Sequence, residues 1–309
     1  MRRYPHMPLS VETVMAADGE QLELHTTKGR VDSPRVLLLH GLEGSIRSHY
    51  VGGLLRQAHD RGWPATLLVF RGCGTFPNKA RRFYHSGETS DIDATLRQLR
   101  ARHPASEWLL TGVSLGGNVL LKWLGEQAGG IDRRIRAAAA ISTPYDLEAG
   151  SRYIGRGSLR VYDRSFLRSL RRKALAKLER YPSLFDRDRL LRARSVYEFD
   201  DVVTAPVHGF VDARDYYSRS SSEQFLERIR VPTMLISAAD DPFVPRDVWE
   251  RVRKRISGHR FIISEFSDSG GHVGFVSGRW PWRAEYYAER RVYRFFEDTL
   301  KDRDQSRYD

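Results

Sequence analysis

Short, uninterrupted apolar runs separated by amphipathic stretches set the rhythm of this chain. Arg35-Val36-Leu37-Leu38-Leu39-His40, Ala65 to Phe70 and Trp108 to Thr111 are too apolar to have a wet face, so each reads as a strand buried on both sides. Ala137 to Ser142, Thr233 to Ser237 and Arg260 to Phe266 repeat the pattern. Between them run helical periodicities: Tyr50 to Arg61, Asp91 to Arg102, Asn118 to Leu124, Arg246 to Arg255 and Ala284 to Leu300. This alternation predicts a mostly parallel central sheet flanked by helices on both faces. At the front, Glu12 to Met15 and Gln21 to His25 surround the turn Asp18-Gly19 and predict an antiparallel hairpin.

The rhythm breaks between about Tyr145 and Arg230, where helical patterns and loops replace buried strands. Ser165 to Arg180 places Leu167, Leu170, Ala174 and Leu178 on one helical stripe, with basic residues around it and Pro182 closing it. The organisation expected is a core in two parts, 1–144 and 231–309, with a mainly helical lid, 145–230, inserted over the carboxyl edge of the sheet.

Composition narrows the class. A chain of 309 residues with 40% hydrophobic and 11% aromatic residues can bury a full core. One cysteine, Cys73, excludes an internal disulfide and suits a reducing compartment. The longest apolar runs are far too short to span a bilayer, and the N-terminus lacks the apolar stretch of a signal peptide, so a cytoplasmic address is expected. The net charge of +12 is concentrated: residues 151–195 carry fourteen basic and four acidic side chains. A solvated arginine-rich face is the default reading of that segment. Peripheral contact with an anionic membrane surface is the functional alternative; nucleic acid is not the expected partner. The oligomeric state is not encoded in any of this.

Gly112-Val113-Ser114-Leu115-Gly116 changes the picture most. It sets one serine between two glycines where a buried strand turns into a helix, as a nucleophile elbow requires. A side chain at 112 or 116 would collide with neighbouring backbone in so tight a turn. By composition alone, G-x-S-x-G arises by chance in roughly one such chain in eight or ten. The surroundings therefore have to carry the argument.

A serine hydroxyl needs a base, and the base needs an orienting acid. Both stand after late strands and in the expected chain order. Asp240-Asp241-Pro242-Phe243-Val244-Pro245 follows Thr233 to Ser237, and Ser269-Gly270-Gly271-His272-Val273-Gly274-Phe275 follows Arg260 to Phe266. Asp241 is the expected acid, lying four positions before the closing proline as in similar hydrolases. Asp240 is left for an N-cap or an Asx turn. An oxyanion needs two backbone donors. Leu115 N–H, directly after the serine, is one candidate; the glycine-bearing loop His40-Gly41-Leu42-Glu43-Gly44 offers Leu42 N–H as the other. His40 itself is expected to brace that loop rather than move protons.

At these residues the chain resembles the α/β-hydrolase superfamily, and within it the YheT-like branch of esterases, which includes eukaryotic membrane-anchored lipid esterases. Phe70-Arg71-Gly72-Cys73-Gly74 and Tyr84-His85-Ser86-Gly87-Glu88-Thr89-Ser90-Asp91-Ile92 resemble that branch's signature, together with the elbow and the Asp241 and His272 segments. The resemblance runs from about Arg35 to the C-terminus. It implies an α/β-hydrolase fold, with Ser114, Asp241 and His272 as nucleophile, acid and base. No histidine is followed by the H-x-x-x-x-D spacing of acyltransferases.

The function expected is therefore cleavage of carboxylic esters through a Ser-His-Asp triad and an acyl-enzyme, with lipid-like or medium-chain esters favoured by the apolar, basic-rimmed insertion. A thioesterase or amidase with the same triad, or a hydrolase-fold binding protein without turnover, are the alternatives. No cofactor or metal is expected: Gly72-x-Gly74 continues to Pro77 rather than to a third glycine, and Walker and H-E-x-x-H patterns are lacking. Cys73 is expected to pack, and Arg71 with the Tyr84–Asp91 segment to order structure. Trp280 and Trp282 either line an acyl pocket or pack the last helix.

Overall fold

The computed structural model describes residues 7–277 and 284–305. Its centre is an eight-stranded sheet in the order β1-β2-β4-β3-β5-β6-β7-β8. The strands are β1 (Leu9–Met15), β2 (Gln21–Thr27), β3 (Arg35–Leu39), β4 (Ala65–Val69), β5 (Trp108–Val113), β6 (Ile135–Ile141), β7 (Thr233–Ala238) and β8 (Ile262–Ser267). β1 pairs antiparallel with β2, and β2 with β4. Every later pairing is parallel. Strands β4, β5 and β7 are buried along their whole length, which explains why they read as continuous apolar runs.

Helices cover both faces because successive strand residues point to opposite sides. One face buries Val36, Leu38 and Leu67 under α1 (His49–Asp60) and the C-terminal helix, through Leu54, Leu55, Val292 and Phe296. The other buries Leu37, Leu39 and Leu110 under α2 (Ser90–Arg102) and α3 (Leu115–Gln127), through Ile92, Leu96, Val119 and Leu120.

Between β6 and β7 the described chain consists of helices joined by loops, with no strand. It contains α4 (Leu147–Ile154), α5 (Arg160–Arg180), α6 (Arg187–Arg192), α7 (Val196–Phe199), α8 (Ala205–His208) and α9 (Ala213–Ser220). A rare π-turn, Asp200–Thr204, joins α7 to α8. Pro206 lies in the first turn of α8; lacking an N–H and crowding the carbonyl four residues earlier, it favours the wider turn. Of the α5 stripe, Leu167, Ala174 and Leu178 pack with Phe185, Leu190, Phe199 and Val203 into a separate small core. Leu170 of the same stripe also lines a cavity; a segment this long needs its own apolar interior.

After β7 come α10 (Arg246–Arg255), β8, a two-stranded ribbon of β9 (Val276–Ser277) and β10 (Glu285–Tyr286), and α11 (Tyr287–Gln305). The last helix thus begins three residues later than its periodicity predicts, since Glu285 and Tyr286 pair with the strand behind His272. Trp280 and Trp282 lie outside the described residues. No helix among the described residues is long and apolar enough to cross a membrane.

Candidate active site

The site forms at the carboxyl ends of the parallel strands, where loops after β3, β5, β7 and β8 converge. Ser114 follows β5 directly and has φ 55°, a left-handed conformation that non-glycine residues rarely adopt. The glycines around it make that turn feasible. A Cβ on Gly112 would lie 2.3 Å from the Gly116 carbonyl oxygen, and one on Gly116 would lie 2.5 Å from the His40 carbonyl oxygen.

Ser114 Oγ lies 2.8 Å from His272 Nε2. On the other side of the ring, Nδ1 lies 2.9 and 3.0 Å from the two carboxylate oxygens of Asp241, whose side chain is fully buried. Asp241 Oδ1 also accepts the Phe243 N–H at 2.8 Å. The adjacent Asp240 serves the neighbouring loop instead, its Oδ1 accepting the N–H groups of Gly270 and Gly271 at 2.9 and 2.8 Å. It braces the loop that carries His272, rather than capping α10, which has no side-chain cap. The Phe243 ring meets the His272 imidazole edge-on at 4.4 Å and is packed in turn by Tyr162 and Phe166 of α5.

The loop after β3 is ordered by two tyrosines. Tyr50 hydroxyl accepts Gly41 N–H at 2.8 Å, and Tyr84 hydroxyl accepts Glu43 N–H at 2.9 Å. Leu42 N–H, between them, has no acceptor among the described residues, and neither does Leu115 N–H at the start of α3. Both residues line the cavity that contains Ser114. His40 is fully buried, with Nε2 accepting Phe70 N–H at 3.0 Å, so Nδ1 carries the proton it donates to the Gly41 carbonyl at 2.7 Å. Burial pulls its pKa down to about 4. It braces the loop as a neutral ring.

Glu43 ties this loop to the helical segment. Its φ is 55°, and its half-buried carboxylate accepts hydrogen bonds from Tyr84 hydroxyl at 2.7 Å, from Lys173 Nζ at 2.6 Å and from Ser169 hydroxyl. Burial works to raise its pKa, but the Lys173 ammonium and these donors hold it below the usual carboxylate value. Cys73 sits beside this pair, 3.3 Å from Lys173 Nζ, and burial pushes its thiol up to about 11. Arg71 is wholly buried and forks between Asp91, at 2.6 Å on both oxygens, and Asp18. It pins β4 to α2 and to the first hairpin, a structural use.

Two cavities adjoin near the serine, sharing Leu42, Ser86, Leu115, Val196 and Asp200 among their lining residues. One, of about 320 Å³, contains Ser114 and His272 and is walled by Leu147, Ile154, Tyr162, Phe166, Val196 and Phe243. The second, of about 450 Å³, is lined by more polar residues, including Thr75, Asn78, His85, Lys173 and Lys177. A group of His85, Glu88 and His208 near it brings three potential ligand atoms within 4.8 Å of one another. Gly87 N–H occupies His85 Nδ1, and Arg82 already neutralises Glu88. Burial keeps both imidazoles neutral, with His208 pulled down to about 4.

An elbow serine at the carboxyl edge of this sheet order, faced by a histidine from the loop after the last strand, defines a hydrolase of the α/β class. Residues 34–278 match the alpha/beta hydrolase fold family, and the chain belongs to it. It is 39% identical over 266 residues to "Putative esterase YheT" of Escherichia coli, covering 84% of this chain and 77% of that protein. It is 30% identical over 278 residues to a monoacylglycerol lipase of Saccharomyces cerevisiae, covering 86% of this chain and 60% of that one. The Pyrococcus furiosus esterase Pf2001 superposes with a TM-score of 0.60 at 16% identity, covering 94% of this chain and 91% of that one. The protein is an esterase- or lipase-like α/β hydrolase of the YheT-like type.

Proposed function

We propose that the protein cleaves carboxylic esters through Ser114, His272 and Asp241. The hydrogen-bonded chain from Ser114 Oγ through His272 to Asp241 carries this reading. Ser114 Oγ attacks the ester carbonyl while its proton passes to His272 Nε2; Asp241 orients the ring and stabilises the imidazolium. Leu42 and Leu115 N–H groups hold the oxyanion, because they are the unpaired donors beside the serine. Collapse expels the alcohol, which leaves with the proton from Nε2. Water, deprotonated by His272, then attacks the acyl-enzyme and releases the acid and free Ser114. A thioester or amide would pass through the same steps, with a thiol or amine as leaving group.

The helical segment 145–230 acts as the lid, since it supplies about half of the wall around Ser114, including Leu147, Ile154, Phe166 and Val196. That wall favours amphiphilic acyl esters; a screen in which short soluble esters outperform acylglycerols and phospholipids by orders of magnitude would remove the lipid version. Arg160, Arg164, Arg168 and Arg172 of α5 form an exposed ridge at four-residue spacing, beside exposed Val161 and Tyr162. This supports peripheral contact with an anionic bilayer, and absence of sedimentation with anionic vesicles at physiological salt would count against it.

The central test is active-site labelling. A fluorophosphonate probe is expected to label the wild-type protein but not Ser114→Ala, with ester hydrolysis lost in parallel. Equal labelling of the two folded proteins, or none of the wild type, would defeat the proposal.

A further inference from the structure

Asp200 stands where the two cavities join. It lines both of them, together with Leu42, Ser86, Leu115 and Val196. Its carboxylate accepts hydrogen bonds from Thr204 hydroxyl at 2.5 Å and from Tyr217 hydroxyl at 2.6 Å. Thr204 lines the second cavity and Tyr217 the first, so the carboxylate is held from both sides at the neck. Among the described residues no lysine, arginine or histidine pairs with it. Two neutral donors are poor compensation for a carboxylate that is 8% exposed, because a buried charge ordinarily has a cation or three or more donors. Burial accordingly pushes Asp200 up to about 6. The residue also opens the π-turn, a wide turn that is uncommon in helices and often marks functional positions.

We propose that Asp200 is a specificity-determining residue, whose free acceptor capacity takes a hydrogen bond from a hydroxyl or ammonium group on the substrate's alcohol portion. This rests on the ester-hydrolase reading of Ser114. The apolar chamber around Ser114 suits the acyl chain, and the more polar second chamber suits the alcohol portion, which then passes Asp200 on its way in. Substrates whose alcohol portion carries a donor at the neck are bound in register with the oxyanion donors. An analogue without the donor leaves a desolvated carboxylate with only its two neutral donors and is rejected for that reason.

The test uses the full chain and three esters with one shared acyl group: an ω-hydroxyalkyl ester, its ω-amino counterpart and the ω-methyl ether. In the wild type at least one donor ester is expected to exceed the ether about tenfold or more in kcat/KM. Whichever donor wins identifies the group recognised. Asp200→Leu is expected to bring that ratio to within about twofold of unity with fluorophosphonate labelling of Ser114 retained, and Asp200→Asn, which keeps one acceptor, to fall between. A wild-type ratio near unity for both donor esters, or an unchanged ratio in both variants, overturns the role of Asp200 while leaving the hydrolase reading intact. Loss of probe labelling in the wild type instead strikes the hydrolase reading itself.

Discussion

Replacing Asp241 by asparagine tests the site at its least ambiguous bond. The Phe243 N–H donates to Asp241 Oδ1, so an asparagine there keeps its carbonyl oxygen on that donor and must turn its NH2 group toward His272. The NH2 would then stand where Oδ2 now stands, 2.9 Å from Nδ1, while the carbonyl oxygen, 3.0 Å from Nδ1, stays engaged by the Phe243 N–H. Two donors cannot share that contact, so the imidazole shifts its proton to Nε2 and faces Ser114 as a donor rather than a base. Loss of the correct tautomer in a Ser-His-Asp site costs about 10⁴-fold in turnover, equivalent to about 5.4 kcal/mol of barrier. The assay is kcat on a chromogenic acyl ester, with a thermal melt to show that the variant is folded. Asp240→Asn is the paired control: its oxygen still accepts the Gly270 and Gly271 N–H groups, only without charge, so the loss should stay under about tenfold. If Asp241→Asn keeps more than a tenth of wild-type turnover, or if Asp240→Asn is equally damaging, the assignment of the acid is wrong.

Two further outcomes concern stability. Asp200 has a folded-state pKa raised from 3.8 to about 6, so its stabilising contribution is complete below about 3.8 and is lost as pH rises through about 6. At about 1.4 kcal/mol per pKa unit, wild type should lose about 2 kcal/mol relative to Asp200→Asn between pH 4 and 7.5, because part of the shift is already expressed at pH 4. Denaturant titrations at the two pH values check this, and a constant gap would contradict it; the groups facing Asp200 are Thr204, Tyr216 and Tyr217, and the tyrosines stay neutral over that range. Arg71→Met should destabilise by about 3–5 kcal/mol, because it strands the buried Asp91 carboxylate. A loss below about 1 kcal/mol in urea unfolding would show that the Arg71 fork is not structural.

The parts of the fold legible in the sequence were those with a local period. Wholly buried strands such as Ala65 to Val69 and Trp108 to Val113 announce themselves by lacking any polar face. The placement of Ser114, Asp241 and His272 after β5, β7 and β8 followed from chain order. What the pattern could not show was contact between residues far apart in sequence. Tyr50 and Tyr84 leave Leu42 N–H unpaired by taking its neighbours, but a tyrosine in a helix or a loop carries no mark of such a partner. Tyr84 does stand within the signature segment, a hint of its importance without its reason. Asp200 was hidden for the same cause: Asp200-Asp201 reads as a solvated pair, and only folding separates a buried first member from a half-exposed second. The α5 stripe shows the same limit, because periodicity reveals that a face is buried, not what buries it.

The bond between Glu43 and Lys173 has a consequence for how such proteins can diverge. Glu43 belongs to the loop that presents Leu42 N–H, while Lys173 belongs to the helical segment that walls the cavity containing Ser114. The Glu43 carboxylate is 12% exposed, so a segment transplanted from a relative without a cation at that place would leave a stranded charge beside the unpaired Leu42 N–H. Cap and core are therefore not interchangeable cassettes. A lineage that refits the cavity for a new ester must inherit the lysine unchanged or alter loop and cap in the same step.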